Sequence, residues 1–338
     1  MKIIVRGTNW IGDAVMQIPA LRELRRIFPD SYITLCTRAW AKGIFQDVDF
    51  IDDILIIEPK ESVFKQAKKW REGKFDLAIL LTNSFQTAFI SKLGKVKKRF
   101  GYTNEGRSFL LTNSIEKPVW KNEKHEIYYY LNLISELEKH YFGKVSMQSP
   151  KFELNVSETR KNEARNILIE NGVDLSKKLI AFCPGSTNSR AKRWQSGSYA
   201  ELNDKLQSEL KANVILIGDQ SELDVSLEVV EKSNIKPIIL TGKTSLAEST
   251  AILSICDFVI SNDTGPAHIS AALGTKTIVI FGPTNPKTTH PIGAEIIRKE
   301  VDCSPCMLRD CPIDHRCLTQ ISAEEVFEKC KSLLPIIK

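Results

Sequence analysis

The sequence predicts an α/β protein built from two Rossmann-like, doubly wound parallel-sheet domains with a cleft between them. Short apolar runs of a length suited to buried strands alternate with segments of helical periodicity. The alternation occurs twice, once on each side of a stretch without clear periodicity at 142–155. At 338 residues the chain is long enough for two such domains, each with a hydrophobic core.

The first half starts with the apolar run Lys2–Arg6, which predicts a buried parallel strand. A helix is predicted from about residue 14 to 27, because apolar residues recur there at helical spacing. The same patterns predict further strands at 32–36, 54–57, 75–81 and 99–102, and helices at 64–71, 83–93 and 125–140. The polar stretch up to residue 122 is expected to be irregular. We expect residues 1–150 to form the first domain.

The second half repeats the alternation, and we expect residues 151–338 to form the second domain. Strands are predicted at 179–183, 213–217, 237–240, 256–261 and 277–281. Helices are predicted at 158–171, 199–210, 222–232, 246–255 and 267–273. An amphipathic helix at 322–334 ends the chain and is a candidate to pack back on the first domain.

Composition and charge are those of an ordinary globular protein, with 42% hydrophobic and 26% charged residues. The net charge of +6 is a mild excess and predicts no nucleic-acid partner. A denser basic cluster could face an anionic substrate or a membrane surface; it comprises Lys92, Lys95, Lys97, Lys98 and Arg99. No apolar run reaches the roughly 18–20 residues of a spanning helix, and the first residues do not read as a signal peptide. A cytoplasmic location is therefore expected.

The stretch at 260–286 organises the predicted second domain. A strand end is followed by the turn and cap residues Asn262 to Gly265, a short helix that Gly274 ends, a second strand and the loop Gly-Pro-Thr-Asn-Pro. The free N–H groups at the start of such a helix face the carboxyl end of the sheet and bind phosphate well. The stretch therefore predicts a nucleotide-diphosphate site.

The loop from Gly7 to Asp13 has the glycine spacing of a triphosphate-binding loop but not its chemistry. That loop needs Lys and Ser/Thr after the second glycine, whereas this chain has Asp13 and Ala14. The dinucleotide fingerprint also fails, because its middle glycine is missing. An acid at the start of a helix remains. Its carboxylate either caps the helix or takes a catalytic role.

Four motifs follow one another along the chain: Gly12-Asp-Ala-Val-Met16 with Pro19-Ala-Leu21, Cys183-Pro-Gly-Ser186 with Ala191-Lys-Arg-Trp194, Asn262-Asp-Thr-Gly-Pro-Ala-His268 and Gly282-Pro-Thr-Asn-Pro286. Together they resemble one family, the ADP-heptose glycosyltransferases of lipopolysaccharide core assembly. Asn83-Ser-Phe85 and Arg99-Phe-Gly-Tyr102 are similar to the heptosyltransferase II branch. The resemblance implies the two-domain GT-B architecture, with the acceptor bound by the first domain and the ADP-sugar donor by the second.

The resemblance also implies roles for three residues. Asp13 would be the base that removes the proton of the acceptor hydroxyl, Lys192 would contact the donor near its diphosphate, and Asp263 would bind a heptose hydroxyl. Thr264, Gly265 and His268 are candidate diphosphate contacts at the helix start, and Ser186 and Thr187 are candidate donor contacts. Glu222 follows a strand end, where an acid often accepts from ribose hydroxyls, although an ordinary helix N-terminal glutamate is the alternative.

Candidate acceptor contacts lie on the loops of the first domain: Thr8, Asn9, Trp10, Asn83, Arg99 and Arg107. The basic residues among them would suit a phosphorylated, carboxylate-bearing saccharide. The resemblance implies a metal-independent mechanism with no catalytic cofactor, in which the helix dipole and Lys192 replace a cation.

Four of the eight cysteines are clustered near the end of the chain. Cys303, Cys306, Cys311 and Cys317, with His315 as an alternate ligand, have the spacing of a structural zinc site. An iron–sulfur centre would have no redox partner in sugar transfer. Free buried thiols or disulfides are the alternative.

The sequence thus favours an inverting glycosyltransferase that moves heptose from ADP-heptose to the lipopolysaccharide inner core, as heptosyltransferase II. Heptosyltransferase I, with a Kdo acceptor, or another ADP-heptose transferase is the alternative within the family. A nucleotide-sugar-binding protein without turnover is the non-enzyme alternative, against which the presence of both Asp13 and Lys192 argues. An epimerase or dehydrogenase is disfavoured by the missing dinucleotide fingerprint. We expect a monomer, peripheral at the inner face of the inner membrane.

Overall fold

The computed structural model describes residues 1–147 and 149–333. The chain divides into two compact units, Met1–Phe152 and Glu153–Lys338. Each unit has its own parallel sheet and its own hydrophobic core. The last predicted helical residue, Leu334, lies outside the described residues.

The first unit is built on a six-stranded parallel sheet in the order β3-β2-β1-β4-β5-β6. Its strands are β1 Lys2–Arg6, β2 Tyr32–Thr37, β3 Asp53–Ile56, β4 Leu77–Leu80, β5 Lys98–Tyr102 and β6 Asn113–Ile115. Its helices are α1 Ile11–Met16, α2 Ile18–Ile27, α3 Lys42–Phe45, α4 Val63–Gly73, α5 Phe85–Leu93 and α6 Glu126–Phe142. Two 3-10 turns, Ala39–Ala41 and Ser108–Leu110, complete it.

The second unit repeats this topology in the order β12-β11-β10-β7-β8-β9. Its strands are β7 Leu179–Cys183, β8 Asn213–Leu216, β9 Ile238–Ile239, β10 Phe258–Asn262, β11 Lys276–Phe281 and β12 Glu295–Arg298. Its helices are α7 Glu158–Glu170, α8 Ser196–Glu209, α9 Leu223–Lys232, α10 Leu246–Leu253, α11 Gly265–Ala272, α12 Pro286–Thr289, α13 Arg316–Thr319 and α14 Ala323–Leu333. The 3-10 turns are Arg190–Lys192 and Gln220–Glu222.

Both sheets have the strand order of the doubly wound dinucleotide-binding fold, which confirms the predicted fold class. In that order the chain changes direction between β1 and β4 in one sheet and between β7 and β10 in the other. Ligands of such folds bind at the carboxyl ends of the strands that flank this switch point. The loops after β1, β4, β7 and β10 are therefore the positions to search for a site.

Two predictions about the first unit were wrong in detail. The predicted helix at 14–27 is two helices that meet at Gln17, because Pro19 has no N–H to donate to the carbonyl of Val15. The stretch expected to be irregular contains β6, a three-residue strand at the sheet edge. Its sequence, Asn-Ser-Ile, carries little apolar signal because the strand is not buried.

The second unit contains one strand that the sequence patterns did not predict. The strand β12 pairs only with β11 among the described strands, so it forms an edge that is partly exposed. The helix α14 packs against α8, and its residues Val326, Phe327 and Cys330 belong to the core of the second unit. Within 1–147 and 149–333, no helix combines the length and apolar character needed to cross a lipid bilayer.

Candidate functional site

The loop after β1 is held tightly by backbone and side-chain hydrogen bonds. The N–H of Gly7 donates to the carbonyl of Cys36 at 3.0 Å, and the N–H of Thr8 donates to Gln17 Oε1 at 3.2 Å. A Cβ on Gly7 would lie 2.9 Å from a methyl carbon of Leu35, so this close approach requires glycine. The loop therefore carries the next residues, Asn9 and Trp10, in a fixed position.

Asp13 is the third residue of α1 and is partly exposed. A carboxylate in the first turn of a helix is stabilised by the helix dipole. Burial, followed by the negative charge of Asp13, raises the pKa of Tyr130 well above its usual range. Asp13 therefore lies within electrostatic range of a buried phenol on α6, a neighbour that its sequence position did not predict.

The predicted acceptor contacts on this unit differ in exposure. Trp10 is 57% exposed and Asn9 is also exposed, whereas Thr8 is only 5% exposed. Asn9 Oδ1 accepts from Arg6 Nη2 at 2.6 Å, which orients its side chain. Of this loop, the side chains of Asn9 and Trp10 can reach a ligand directly, while Thr8 contributes mainly to the loop's packing.

Arg107 is completely buried, with 0% exposure. Its guanidinium donates to the carbonyls of Tyr102 and Thr82 at 2.9 and 2.7 Å and to Asn83 Oδ1 at 3.3 Å. Burial lowers the pKa of Arg107 to about 10. Arg107 thus connects the loop after β4 with the loop after β5, and its hydrogen bond to Asn83 Oδ1 orients that side chain.

Arg99 and Asn83 are partly exposed and are also bound within the unit. Arg99 Nε and Nη1 donate to the carbonyls of Leu110 and Val96 at 2.8 and 2.6 Å. Asn83 Nδ2 donates to the hydroxyl of Tyr129 at 3.0 Å. Arg99 and Arg107 were predicted to contact an anionic acceptor through their charge. In the structure their N–H groups donate to backbone carbonyls and so fix the conformation of the loops.

In the second unit, Lys192 and Asp263 form a pair at the carboxyl end of β10. Lys192 Nζ donates to the carbonyl of Asp263 at 3.0 Å and to its Oδ2 at 2.9 Å. Thr284 Oγ1 donates to the same Oδ2 at 2.7 Å. Asp263 is 4% exposed, so its charge is stabilised by these two donors rather than by water. The structure thus joins the lysine and the acid that the sequence predicted separately.

Asn262, which precedes this acid, is fully buried at 0% exposure and connects three segments. Its Oδ1 accepts from the N–H of Trp194 at 3.0 Å and from the hydroxyl of Tyr199 at 3.2 Å. Its Nδ2 donates to the carbonyl of Pro184 at 2.7 Å. Asn262 therefore fixes the segment that carries Lys192 relative to β10 and to the loop after β7.

The helix α11 starts beside this pair. Its N-cap residue, Thr264, is extended and makes no side-chain cap hydrogen bond to the helix. Pro266 has no N–H, and the N–H of Ala267 donates to the carbonyl of Thr264 at 3.1 Å, so among the described residues at this helix start the N–H of Gly265 remains for a ligand such as a phosphate. His268 is only 4% exposed and belongs to the buried face of α11. The helix start therefore offers this backbone donor more directly than it offers the imidazole.

Glu222 lies over two glycines at the carboxyl ends of β7 and β8. A Cβ on Gly185 would lie 2.3 Å from the carboxyl carbon of Glu222, and one on Gly218 would lie 2.9 Å from its Oε2. Its Oε1 accepts from Thr187 Oγ1 at 3.3 Å, and its Oε2 accepts from the N–H of Asp219 at 3.0 Å. Burial raises the pKa of Glu222. This acid, with exposed Thr187 beside it, is placed where doubly wound folds bind ribose hydroxyls.

Ser186, the other predicted donor contact on this loop, is 4% exposed. Its carbonyl accepts from Arg193 Nη2 at 3.0 Å. The loop after β7 is thus bound to the segment 190–193, which carries Lys192.

The four clustered cysteines are free thiols in this structure. Cys303 and Cys306 are exposed, Cys311 is partly buried and Cys317 is buried. Burial and then the negative charge of the neighbouring thiols of Cys303, Cys311 and Cys306 raise the pKa of Cys317. Among residues 1–147 and 149–333, however, no three His, Cys, Asp or Glu side chains are grouped so that they could hold a metal ion. The structure therefore does not confirm the predicted zinc, which stays a prediction.

The segment 303–317 contacts both loops that surround Asp263. The N–H of Ala191 donates to the carbonyl of Arg309 at 2.9 Å, and His315 Nε2 donates to the carbonyl of Ala191 at 3.1 Å. The N–H of Met307 donates to the carbonyl of Pro283 at 2.9 Å. The cysteine-rich segment thus supports the residues next to Lys192 and next to Thr284.

Sequence reasoning did not select Asn262, Thr284 or Tyr130 as site residues. Asn262 and Thr284 stand inside the two motifs that carry the resemblance, and a turn-forming role was the only one their types suggested. Nothing in the local pattern of α6 distinguishes Tyr130 from its neighbouring tyrosines, since its proximity to Asp13 comes from the packing of the unit.

Comparison with known proteins adds information on the whole chain. The model of glycosyltransferase family 9 (heptosyltransferase) matches residues 63–316. A Campylobacter jejuni protein named lipooligosaccharide heptosyltransferase 2 is 29% identical over 352 residues, which cover 99% of this chain and 98% of that protein. The structure of Escherichia coli ADP-heptose lps heptosyltransferase II superposes with a TM-score of 0.84 at 26% identity, covering 98% of each chain.

A glycosyltransferase family 9 structure from Veillonella parvula superposes with a TM-score of 0.85. It is 23% identical and covers 98% of this chain and 96% of that one, so it speaks for the fold alone. These likenesses extend over both units, and the α/β fold is that of the GT-B heptosyltransferases.

Proposed function

The chain belongs to glycosyltransferase family 9, the heptosyltransferases, and on this premise we propose that it moves L-glycero-D-manno-heptose from ADP-heptose to a heptose of the lipopolysaccharide inner core, as heptosyltransferase II. The observation that carries the proposal is the Lys192–Asp263 pair beside the N-terminus of α11. Relatives named heptosyltransferase 2 align over nearly the whole chain and support the same acceptor class.

Under this proposal the second unit binds the donor. The diphosphate accepts from the N–H of Gly265 at the start of α11, and Lys192 adds a positive charge beside it. The two described donors to the Asp263 carboxylate both bind Oδ2, so Oδ1 is available to accept from a heptose hydroxyl. Glu222 accepts from the ribose, with Thr187 at its side. Thr264 and Ser186 shape this site, and the buried His268 supports α11 from its core face.

The first unit supplies the acceptor contacts and the base. Asp13 takes the proton of the attacking hydroxyl as the bond from the heptose carbon to the diphosphate breaks, and the anomeric configuration inverts. The exposed side chains of Asn9 and Trp10 contact the acceptor saccharide. Arg107 holds the loop that carries Asn83, and Arg99 holds the neighbouring segment at Leu110. The diphosphate leaves as ADP, with its charge stabilised by Lys192 and the helix dipole.

The test is acceptor-dependent release of ADP from ADP-heptose, with wild type and Asp13→Asn. We expect the variant to lose activity by a factor of roughly 10²–10⁴, the range for removal of a general base. Asp30→Asn, a change at an exposed acid of the same unit, is the matched control and should leave the rate unchanged. Transfer by Asp13→Asn at the wild-type rate would exclude Asp13 as the base.

The acceptor panel separates the remaining candidates. Defined saccharides that end in heptose or in Kdo distinguish heptosyltransferase II from heptosyltransferase I, because only the preferred acceptor stimulates ADP release. ADP-heptose binding without release in the presence of any acceptor would favour a binding protein. We propose a monomer in the cytoplasm at the inner face of the membrane, where a lipid-linked acceptor is available; light scattering on the purified protein tests the monomer.

A structural zinc at the four cysteines stays a separate proposal. The spacing of the four cysteines in the sequence supports it, but the side chains of the described residues would have to move closer together for three or four thiolates to share one ion. Metal analysis of the purified protein tests it. Fully active protein without zinc or iron would exclude a metal requirement.

A further inference from the structure

The first unit exposes a group of aromatic side chains beside α5. Phe85 and Phe109 are 40% and 69% exposed, and their ring centroids are 6.2 Å apart. Phe89 stacks on Phe85 with centroids 6.1 Å apart. Large exposed apolar side chains that touch one another are uncommon on a surface that faces only water, and such a patch indicates a binding partner.

The sequence of α5 explains why Phe85 and Lys92 are exposed together. Phe85, Phe89 and Lys92 are spaced at i, i+4 and i+7, which places them along one stripe of the helix. Ala88 and Ile90 belong to the hydrophobic core of the unit, and the half-buried Phe89 packs against that core beneath Phe85. The outward face of α5 is therefore aromatic at its start and basic near its end.

Positive charge surrounds the aromatic group. Lys92 Nζ lies 5.7 Å from the centroid of the Phe109 ring, and Lys95 and Lys98 are exposed on the following segment. The hydrogen bond from Arg99 Nε to the carbonyl of Leu110 joins that segment to the residues after Phe109. We call the set Phe85, Phe89, Lys92, Lys95, Lys98 and Phe109 the aromatic-basic surface.

Acidic groups are present at its margins. Lys97 pairs with Asp76 at 3.0 Å and so adds little charge, and Glu105 Oε2 accepts from the N–H of Phe85. Among the described residues, none of the three lysines of the surface forms a salt bridge. The three ammonium groups outweigh the single carboxylate of Glu105, so the surface is positive overall.

We propose that the aromatic-basic surface docks the protein on an anionic lipid bilayer. Phenylalanine rings enter the boundary between headgroups and acyl chains, and nearby lysines pair with lipid phosphates. The inference rests on the proposed function, in which the acceptor is lipid-linked. The surface also continues into the candidate acceptor loops, because Arg107 Nη1 donates to the carbonyl of Ser84, the residue before Phe85.

Vesicle flotation tests this directly, with phosphatidylcholine alone or mixed with phosphatidylglycerol. We expect wild type to float with the anionic vesicles and to be released by salt. Phe109→Ser and Lys92→Glu should each lower the bound fraction roughly tenfold. Leu227→Ser and Lys232→Glu, at exposed positions of α9 in the other unit, are the matched controls and should bind as wild type.

Equal binding of wild type to both vesicle types would overturn the proposal, and so would wild-type binding by both surface variants. A change of oligomeric state in Phe109→Ser would instead assign the surface to a second copy of the chain and would also overturn it. ADP release with a water-soluble acceptor is measured in parallel and should be unchanged in both variants. If wild type released no ADP in this assay, the proposed function would be contradicted, whereas the vesicle result would still stand.

Discussion

Lys192 Nζ binds Asp263 twice, through the backbone carbonyl at 3.0 Å and through carboxylate Oδ2 at 2.9 Å. The two residues are 71 positions apart in the sequence, and the contact joins the 3-10 turn after β7 to the end of β10. One member of the pair is almost fully buried and the other is partly exposed. The lysine is therefore held in place before any ligand arrives.

Lys192→Met should damage both stability and transfer. It leaves the buried carboxylate of Asp263 with Thr284 as its described partner, and we expect a loss of about 1–3 kcal/mol in the free energy of unfolding. Removal of the charge beside the diphosphate should lower the rate of ADP release roughly hundredfold. Urea unfolding and steady-state assays measure the two effects.

A double variant separates these effects. Lys192→Met combined with Asp263→Asn removes the uncompensated charge, so stability should recover while transfer stays low. Lys243→Met, at an exposed lysine of the same unit, is the control. Recovery of transfer together with stability would mean that Lys192 acts only through folding.

Asn262→Ala should destabilise the second unit and release the segment that carries Lys192. The change removes the acceptor of two buried donors, Trp194 N–H and Tyr199 O–H, and we expect a loss of about 2–4 kcal/mol in the free energy of unfolding. Because the Lys192 segment loses its anchor, the KM for ADP-heptose should rise. Asn234→Ala, which removes an exposed asparagine bonded to Asp204, is the control and should change neither the free energy of unfolding nor the KM. Equal effects of the two substitutions would contradict the role of Asn262.

Gly185→Ala should impair donor binding without a large change in stability. The new Cβ would lie 2.3 Å from the carboxyl carbon of Glu222, so that side chain must move away from the ribose position. Isothermal titration with ADP should show weaker binding. Gly197→Ala, where no atom lies within 4 Å of the added Cβ, should bind ADP normally and gain about 0.5–1 kcal/mol from its helical position.

Glu222 should make stability fall as pH rises through the acidic range. Burial raises its pKa in the folded state, so the unfolded chain loses this proton first as pH increases. Below the ordinary pKa of a glutamate, Glu222 is protonated in both the folded and the unfolded chain, so it does not change the free energy of unfolding. Above its raised pKa in the folded state, the loss of stability is complete. Unfolding of wild type and Glu222→Gln, compared from about pH 4 to about pH 8, should show wild type becoming the less stable of the two. The opposite trend would contradict a buried, charge-disfavouring site.

The sequence predicted the central strands well and missed two of the four edge strands. β1 and β7 are found at their predicted bounds, because each is an apolar run buried in the centre of its sheet. β6 and β12 were missed because an edge strand needs little apolar sequence. The other two edge strands, β3 and β9, were predicted because each still contains consecutive apolar residues.

The candidate site shows a similar division. Motifs indicated Lys192 and Asp263, but their contact depends on packing between segments distant in sequence, which no local pattern encodes. Arg107 was selected for its charge, and only the fold reveals that its donors are used by carbonyls of its own unit. Residue type thus predicts the chemistry available to a side chain, whereas its burial in the fold decides which groups it can contact.

The cysteine-rich segment 303–317 connects exposed thiols with the residues of the proposed donor site. It is bonded through Arg309 and His315 to Ala191 and through Met307 to Pro283, so it is a common support for the neighbours of Lys192 and Thr284. Two of its thiols, Cys303 and Cys306, are open to solvent. Alkylation or oxidation of these thiols would therefore displace the main chain next to Lys192 and next to Thr284, the two residues that bind Asp263. The reagent itself would not need to enter the site.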